Sequence, residues 1–114
     1  MPTTKIRALV RRLEAGGQEM LVYGPLIVYL RARNVIVGTR TVALSPLRWS
    51  LLLILVSHAG KTVSKDRLRK MLAEDTPLSA NGVEELVSQL RGKLEPGGIR
   101  IRGIRGRGYC LELT

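Results

Sequence analysis

The chain has 114 residues, of which 45% are hydrophobic, and carries a formal net charge of +10. This length predicts one domain with a modest core, and the charge favours a polyanionic partner, most often nucleic acid and less often an anionic membrane. A merely soluble basic domain is the alternative. One cysteine, Cys110, excludes an intrachain disulfide, and one histidine, His58, leaves no cysteine–histidine set for a metal.

Hydropathy argues against a membrane-spanning segment. The longest apolar run is LLLILV, residues 51–56, whereas a transmembrane helix needs about 20 apolar residues. The N-terminal stretch MPTTKIRALVRR has no apolar core of the kind that a secretion signal contains. We therefore expect a cytoplasmic protein with no membrane partner.

The N-terminal third predicts one helix followed by strands. Residues 5–13, KIRALVRRL, predict a helix with its apolar side chains on one side. The stretch EAGGQE, with Gly16 and Gly17, predicts the helix end and a linker. Four short runs rich in β-branched residues follow, and they predict a four-stranded antiparallel sheet because no helix separates them: MLVY, PLIVYLRA, NVIVG and RTVAL.

Three helices are predicted next. Ser45 is a capping hydroxyl before a proline, so the first helix runs from there to about His58. The second starts at Ser64, and the stretch EDTPLS separates it from the third, predicted over residues 79–95. The inward side of the third helix carries Val83, Leu86, Val87, Leu90 and Leu94. The side chains predicted to meet in the core are Trp49, Leu52, Leu55, Leu68, Leu86 or Val87, Leu90 and Tyr109.

The C-terminal stretch IRIRGIRGRGYCLEL, residues 99–113, predicts a strongly basic β-hairpin. The two-residue period of a strand turns its first isoleucines inward and the alternating arginines outward. Arg105 and Arg107 fall at the turn, where neighbouring glycines permit unusual dihedrals and close approach. Four long cations with only Glu112 nearby repel one another unless a polyanion absorbs the charge. A hairpin like this beside two consecutive helices is typical of a DNA-contacting wing, although a solvated edge strand and an ordinary three-helix packing stay open.

Four stretches carry a family resemblance: LSPLRWSLL (residues 44–52), HAGKTVSKDRL (58–68), VSQLRGKLE (87–95) and IRGIRGRGYCL (101–111). From about residue 21 to residue 113 the chain resembles the winged-helix effector domain of OmpR/PhoB-type response regulators. Residues 5–13 are similar to the end of a receiver domain's last helix. Residues 1–18 are therefore interpreted as a receiver-helix remnant and linker, and residues 19–114 as the DNA-binding domain.

The resemblance implies an α+β fold, a winged helix-turn-helix with a four-stranded N-terminal antiparallel sheet, three helices and a C-terminal β-hairpin wing. The wing would pair with a short strand near residues 61–63. The implied function is sequence-specific binding of double-stranded promoter DNA in bacterial two-component transcription regulation, with self-association on tandem half-sites. RNA polymerase is a further candidate partner. Phosphorylation of a receiver domain would normally control such a protein.

The resemblance also assigns roles to residues. Helix 79–95 would enter the major groove, and the wing, residues 99–113, would contact the backbone and minor groove. The residues expected to contact DNA are Asn81, Glu85, Ser88, Gln89, Arg91, Lys93, Arg105 and Arg107. Gln89 suits an adenine edge and Glu85 a cytosine amino group. Members of the family usually carry an acid where Arg48 stands, and neither Glu85 nor Leu86 is usual.

Other functions have weaker support in the sequence. The acids on the third helix give some support to a winged helix that acts mainly through protein contacts, for instance with RNA polymerase or a partner regulator. RNA binding lacks a stacking platform, since the chain has no phenylalanine, one tryptophan and three tyrosines. No catalytic residue, cofactor site or metal site is expected, because no set of side chains forms a recognisable active site.

Overall fold

The computed structural model describes residues 10–72 and 80–114. An N-terminal antiparallel sheet holds five strands in chain order: β1 (Arg11–Ala15), β2 (Gln18–Tyr23), β3 (Leu26–Tyr29), β4 (Asn34–Val37) and β5 (Arg40–Val42). Three helices and a short strand follow: α1 (Pro46–Ser57), β6 (Thr62–Val63), α2 (Lys65–Leu72) and α3 (Ala80–Leu94). After a 3₁₀ turn at Glu95–Gly97, the chain ends in β7 (Ile99–Ile104) and β8 (Gly108–Leu113). The second sheet has the order β6-β8-β7, so β8 is its central strand.

Among the described residues the N-terminal sheet has five strands rather than the predicted four, because β1 pairs with β2. Gly16 and Gly17 form the tight turn between them, with φ angles of 60° and 78° that glycine adopts without strain. The helix predicted over residues 5–13 is therefore wrong for residues 10–13, and the predicted linker is a hairpin turn. Residues 5–9 lie outside the described residues. The predicted domain boundary between residues 18 and 19 falls inside β2.

The helix starts are confirmed. Ser45 Oγ accepts a hydrogen bond from the backbone N–H of Arg48 at 3.4 Å, and Pro46 is the first residue of α1. At α2, Ser64 Oγ accepts from the N–H of Arg67 at 3.1 Å. Both contacts satisfy N–H groups that the first turn of a helix leaves without a partner.

The short strand predicted near residues 61–63 is confirmed as β6, which pairs with β8. The chain reaches it by a left-handed residue, Gly60, whose φ is 79° and whose N–H donates to Leu111 O at 2.9 Å. The end of α1 is thereby joined to the C-terminal hairpin before α2 begins.

The predicted core residues are buried, with Val87 rather than Leu86 as the fully buried one, and the core also takes in side chains of β2, β3 and β4 that the prediction omits. On β7 the side chains alternate as predicted: Ile99 and Ile101 are buried, and the arginines between and after them are exposed. Cys110 is buried on β8, and burial raises the pKa of its thiol. Six predicted core residues join Val87 in the buried cluster: Trp49, Leu52, Leu55, Leu68, Leu90 and Tyr109. α3 contacts α1, α2 and β7, so this core fixes which side of α3 faces solvent.

Leu90→Ala tests the orientation of α3. Leu90 is fully buried, so its truncation should lower the free energy of unfolding by about 2–5 kcal/mol in urea denaturation. Ser88→Ala, at an exposed position of the same helix, is the control and should change that free energy by less than about 0.5 kcal/mol. A loss below about 1 kcal/mol for Leu90→Ala would contradict this orientation.

Candidate nucleic-acid interface

α3 has a continuous polar face opposite its buried side. Asn81, Glu85 and Ser88 are exposed on it, and Gly92 continues the face one turn later. Apart from its chain neighbours and the backbone of its own helix, no atom lies within 4 Å of the position that a Cβ on Gly92 would take, so this end of the face is open. A helix with its side chains is about 10–12 Å across, and the major groove of B-form DNA is about 12 Å wide.

Gln89 lies at the edge of this face, where α3 meets α1. The Nε and Nη2 groups of Arg48 both donate to Gln89 Oε1, at 2.9 and 2.6 Å. The sequence prediction includes Gln89 and omits Arg48. The signal that could have marked Arg48 is that it stands where the family resemblance leads one to expect an acid.

Arg91 points to the wing rather than to the open face of α3. Its Nε donates to the backbone oxygen of Ile101 at 2.9 Å, and its guanidinium lies 6.0 Å from the centre of the Tyr109 ring. Gly103 leaves room for this side chain, since a Cβ there would lie 3.3 Å from Arg91 Nη2. Arg91 is only half exposed and joins α3 to the wing.

Lys93 lies on the other side of α3 from Arg91. It is exposed and borders a cleft of about 240 Å³ that α3 forms with the N-terminal sheet, where Arg40 and Thr41 are neighbours. Lys93 therefore does not lie in the cleft beside the wing. Of the eight predicted contact residues, the structure brings Asn81, Glu85 and Ser88 together on one face.

An ion pair joins α2 to α3. Lys65 Nζ donates to Glu84 Oε1 at 2.5 Å, and this hydrogen bond raises the pKa of Lys65. Both side chains are about half exposed, at 40% and 51%, so the pair contributes little to stability. It does orient the first residue of α2 toward α3. The sequence prediction omits Lys65, and no local pattern marks it.

The wing consists of β7, β8 and the turn between them, residues 99–113. Arg105 and Arg107 are exposed at its tip on either side of Gly106, and Arg107 N–H closes the turn on Ile104 O at 2.9 Å. Lower on the wing, Arg102 pairs with Glu112 at 3.3 Å. Glu112, the acid of the hairpin, thus pairs with an arginine at the base of the wing, and the charges of the two arginines at the tip are not neutralised by it.

A cleft of about 580 Å³ lies between the wing tip, the start of α2 and the Arg91 side of α3. Its lining includes Lys65, Arg91, Arg105 and Arg107, with Asp66 as its acid. Four cations around one open cleft create a positive potential that attracts anionic groups. The cleft opens beside the polar face of α3. A ligand bound along that face would therefore also lie next to the positively charged side chains of the cleft.

Other kinds of site find no support within residues 10–72 and 80–114. No group of three or more His, Cys, Asp or Glu side chains there could hold a metal ion. In the same ranges, no helix has the length and apolar content that crossing a bilayer requires.

The arrangement defines a winged helix-turn-helix: α2 and α3 form the helix pair, and a hairpin wing lies beside them. Comparison with protein families agrees with this class. Residues 38–111 match the family described as transcriptional regulatory protein, C terminal. The chain belongs to this family, which consists of transcription regulators and not of enzymes.

Similar proteins come from two-component systems. The two-component response regulator PhoP of Pseudomonas aeruginosa is 36% identical over 110 residues, which cover 94% of this chain and 49% of PhoP. The transcriptional regulatory protein BasR of Escherichia coli is 35% identical over 108 residues, covering 94% of this chain and 48% of BasR. The chain thus spans about half the length of these curated relatives.

Solved structures share the fold. The DNA-binding domain of Klebsiella pneumoniae RstA, in complex with the RstA box, matches with a TM-score of 0.71 and 31% identity. That match covers 82% of this chain and 96% of the RstA domain.

Two glycines of the interface should respond in opposite ways to alanine. Gly92→Ala adds a methyl group in open space on a helix and should raise the free energy of unfolding by about 0.5–1 kcal/mol, because glycine is a poor helix former. Gly108 has a φ of 140°, and a Cβ there would lie 2.0 Å from Val63 O, so Gly108→Ala should destabilise the domain. Urea denaturation of both variants measures the difference. Equal effects would contradict the described packing of β8 against the start of α2.

Proposed function

We propose that this chain binds double-stranded DNA in a sequence-specific manner, as the effector domain of a bacterial two-component transcription regulator. α3 would enter the major groove, and the wing would contact the phosphate backbone and minor groove. The observation that carries the proposal is the exposed polar face of α3 beside the positive cleft of the wing. Such an arrangement pairs side chains that can read base edges with cations that can bind phosphates.

The charge distribution supports different roles for α3 and the wing in DNA binding. α3 carries two acids and two bases, so its formal charge is zero, whereas the wing carries four arginines against one acid. Phosphate contacts give most of the salt-dependent affinity of DNA-binding proteins, and base contacts give the specificity. We therefore assign the larger electrostatic contribution to the wing tip and the sequence preference to α3.

The roles of the individual contact residues follow from these two assignments. Asn81, Ser88, Glu85 and Gln89 would face base edges or nearby phosphates, because they lie on or beside the polar face of α3. Arg105 and Arg107 would contact the backbone or minor groove. Two cations complete the predicted set with smaller roles: Arg91, which is already bonded to the wing, and Lys93, which lies outside the wing cleft.

Relatives support the same proposal and extend it. RstA, 31% identical to this chain, has been solved as a DNA-binding domain in complex with the RstA box. Control by a receiver domain, self-association on tandem half-sites and contact with RNA polymerase are parts of the proposal that rest on family membership. A cytoplasmic location follows from a role in transcription.

The salt dependence of DNA binding tests the role of the wing. Arg105→Ala with Arg107→Ala should weaken binding to both a duplex selected from a random library and its scrambled version. The double variant should also flatten the plot of log affinity against log salt by about one to two units, since each phosphate contact contributes about 0.9. Fluorescence anisotropy from low to moderate salt provides the measurement.

The matched control removes the same charge elsewhere. Arg11 and Arg31 are exposed on or beside the N-terminal sheet, and Arg11→Ala with Arg31→Ala should change the slope much less. An equal flattening in both double variants would show that net charge, and not the wing, determines affinity. If the unmodified chain binds DNA only when a second protein is present, the protein-contact function is favoured instead.

A further inference from the structure

We propose that Arg48 determines which bases Gln89 can recognise, by occupying the amide oxygen of Gln89. This inference rests on the proposed function and deepens it, because it names a residue outside α3 that sets specificity without reading a base itself. Arg48 is accordingly a positioning residue, and Gln89 is the residue expected to contact the base.

The hydrogen-bond geometry fixes the orientation of the Gln89 amide. Two N–H groups of Arg48 meet Oε1 at 2.9 and 2.6 Å. A guanidinium has donors only, so the amide atom that it contacts is the oxygen and not the nitrogen. An amide oxygen has two lone pairs, and both are used by Arg48. Gln89 therefore has the two N–H donors of Nε2 left for a ligand.

This restricted amide changes the expectation that Gln89 suits adenine. Glutamine recognises adenine by accepting from N6 and donating to N7, which requires both ends of the amide. With its oxygen occupied, Gln89 can only donate. In the major groove it then matches best the bases that offer acceptors alone: N7 and O6 of guanine, or O4 of thymine. Adenine also offers N7, but its neighbouring N6 group is a donor that an amide without a free oxygen cannot bind.

The position of Arg48 supports a role other than helix stability. Arg48 is the third residue of α1, after the N-cap Ser45 and Pro46. A glutamate or glutamine at this position would complete a capping box with Ser45, and an acid would also interact favourably with the helix dipole. The first turn of α1 contains no acid. An arginine makes neither contribution. Its side chain is bonded instead to Gln89, which lies 41 residues further along the sequence.

The test is selection of duplexes from a random library by the unmodified chain, Arg48→Ala and Arg48→Glu. The unmodified chain should favour guanine or thymine at the base pair assigned to Gln89, which is the position where Gln89→Ala loses preference. Arg48→Ala frees the oxygen and should shift that position toward adenine by about tenfold relative to guanine. Arg48→Glu can only accept from Nε2, so it should turn the oxygen of Gln89 outward and favour bases that donate, adenine or cytosine.

Each control separates a different explanation. Arg48→Glu places an acid in the first turn of α1, where the helix dipole favours it, and should not lower the melting temperature, so its altered preference cannot come from unfolding. In a Gln89→Ala background, Arg48→Ala should cause no further change of preference. Loss of a positive charge lowers the affinity for all duplexes alike. The quantity to compare is therefore the ratio of affinities for duplexes that differ at the base pair assigned to Gln89.

The outcomes distinguish this inference from the function on which it rests. If the unmodified chain selects no sequence, the proposed function fails. If it selects a sequence and Arg48→Ala keeps the same base at every position, DNA binding stands and the role of Arg48 is wrong. A shift toward adenine that disappears in the Gln89→Ala background supports the inference.

Discussion

The backbone of β8 lies directly against the chain between β6 and α2, and Gly108 makes this approach possible. A Cβ on Gly108 would lie 2.0 Å from the backbone oxygen of Val63 and 2.7 Å from Cα of Ser64. Because Ser64 also caps α2, the same contact sets the distance from the wing to the helix pair. The positive cleft and the polar face of α3 are side by side for this reason. Their combination into one interface therefore depends on the missing side chain of Gly108.

Polar contacts then hold α3 on three sides. Glu84 is bonded to α2, Gln89 to α1 and Arg91 to the wing. None of these contacts is buried deeply, so they contribute less to stability than the core does. Their effect is to restrict the rotamers of side chains around the exposed face. A helix whose flanking side chains are already ordered loses less conformational entropy when it binds a rigid partner.

Local sequence signals predict most of the helices and strands, whereas their arrangement as a winged helix-turn-helix is what the family resemblance implies. The capping residues, the helical periodicity of α3 and the alternation on β7 each depend on neighbours a few positions away. One predicted helix, over residues 5–13, is wrong for residues 10–13 and shows the limit of periodicity: a short basic amphipathic stretch fits both a helix and an edge strand. The pair Gly16–Gly17 was the better signal, since two glycines between apolar runs are typical of a hairpin.

The side-chain partnerships of the interface were not predictable in the same way. The resemblance assigns both Arg91 and Gln89 to DNA contact, but each is bonded within the protein to a residue of another element. The position of a residue on a helix predicts the direction of its side chain. It does not predict the hydrogen-bond partner of that side chain. The resemblance marks Arg48 as an unexpected residue, and only the fold connects it to Gln89.

We propose that the polar face of α3 and the wing tip together form the DNA-binding surface. Chemical-shift mapping of the ¹⁵N-labelled chain, titrated with a duplex selected from a random library, tests this proposal. Amide shifts should concentrate in residues 81–92 and 104–108, while residues 18–42 of the N-terminal sheet should change little. Shifts concentrated in the N-terminal sheet, with the wing tip and α3 unperturbed, would contradict it.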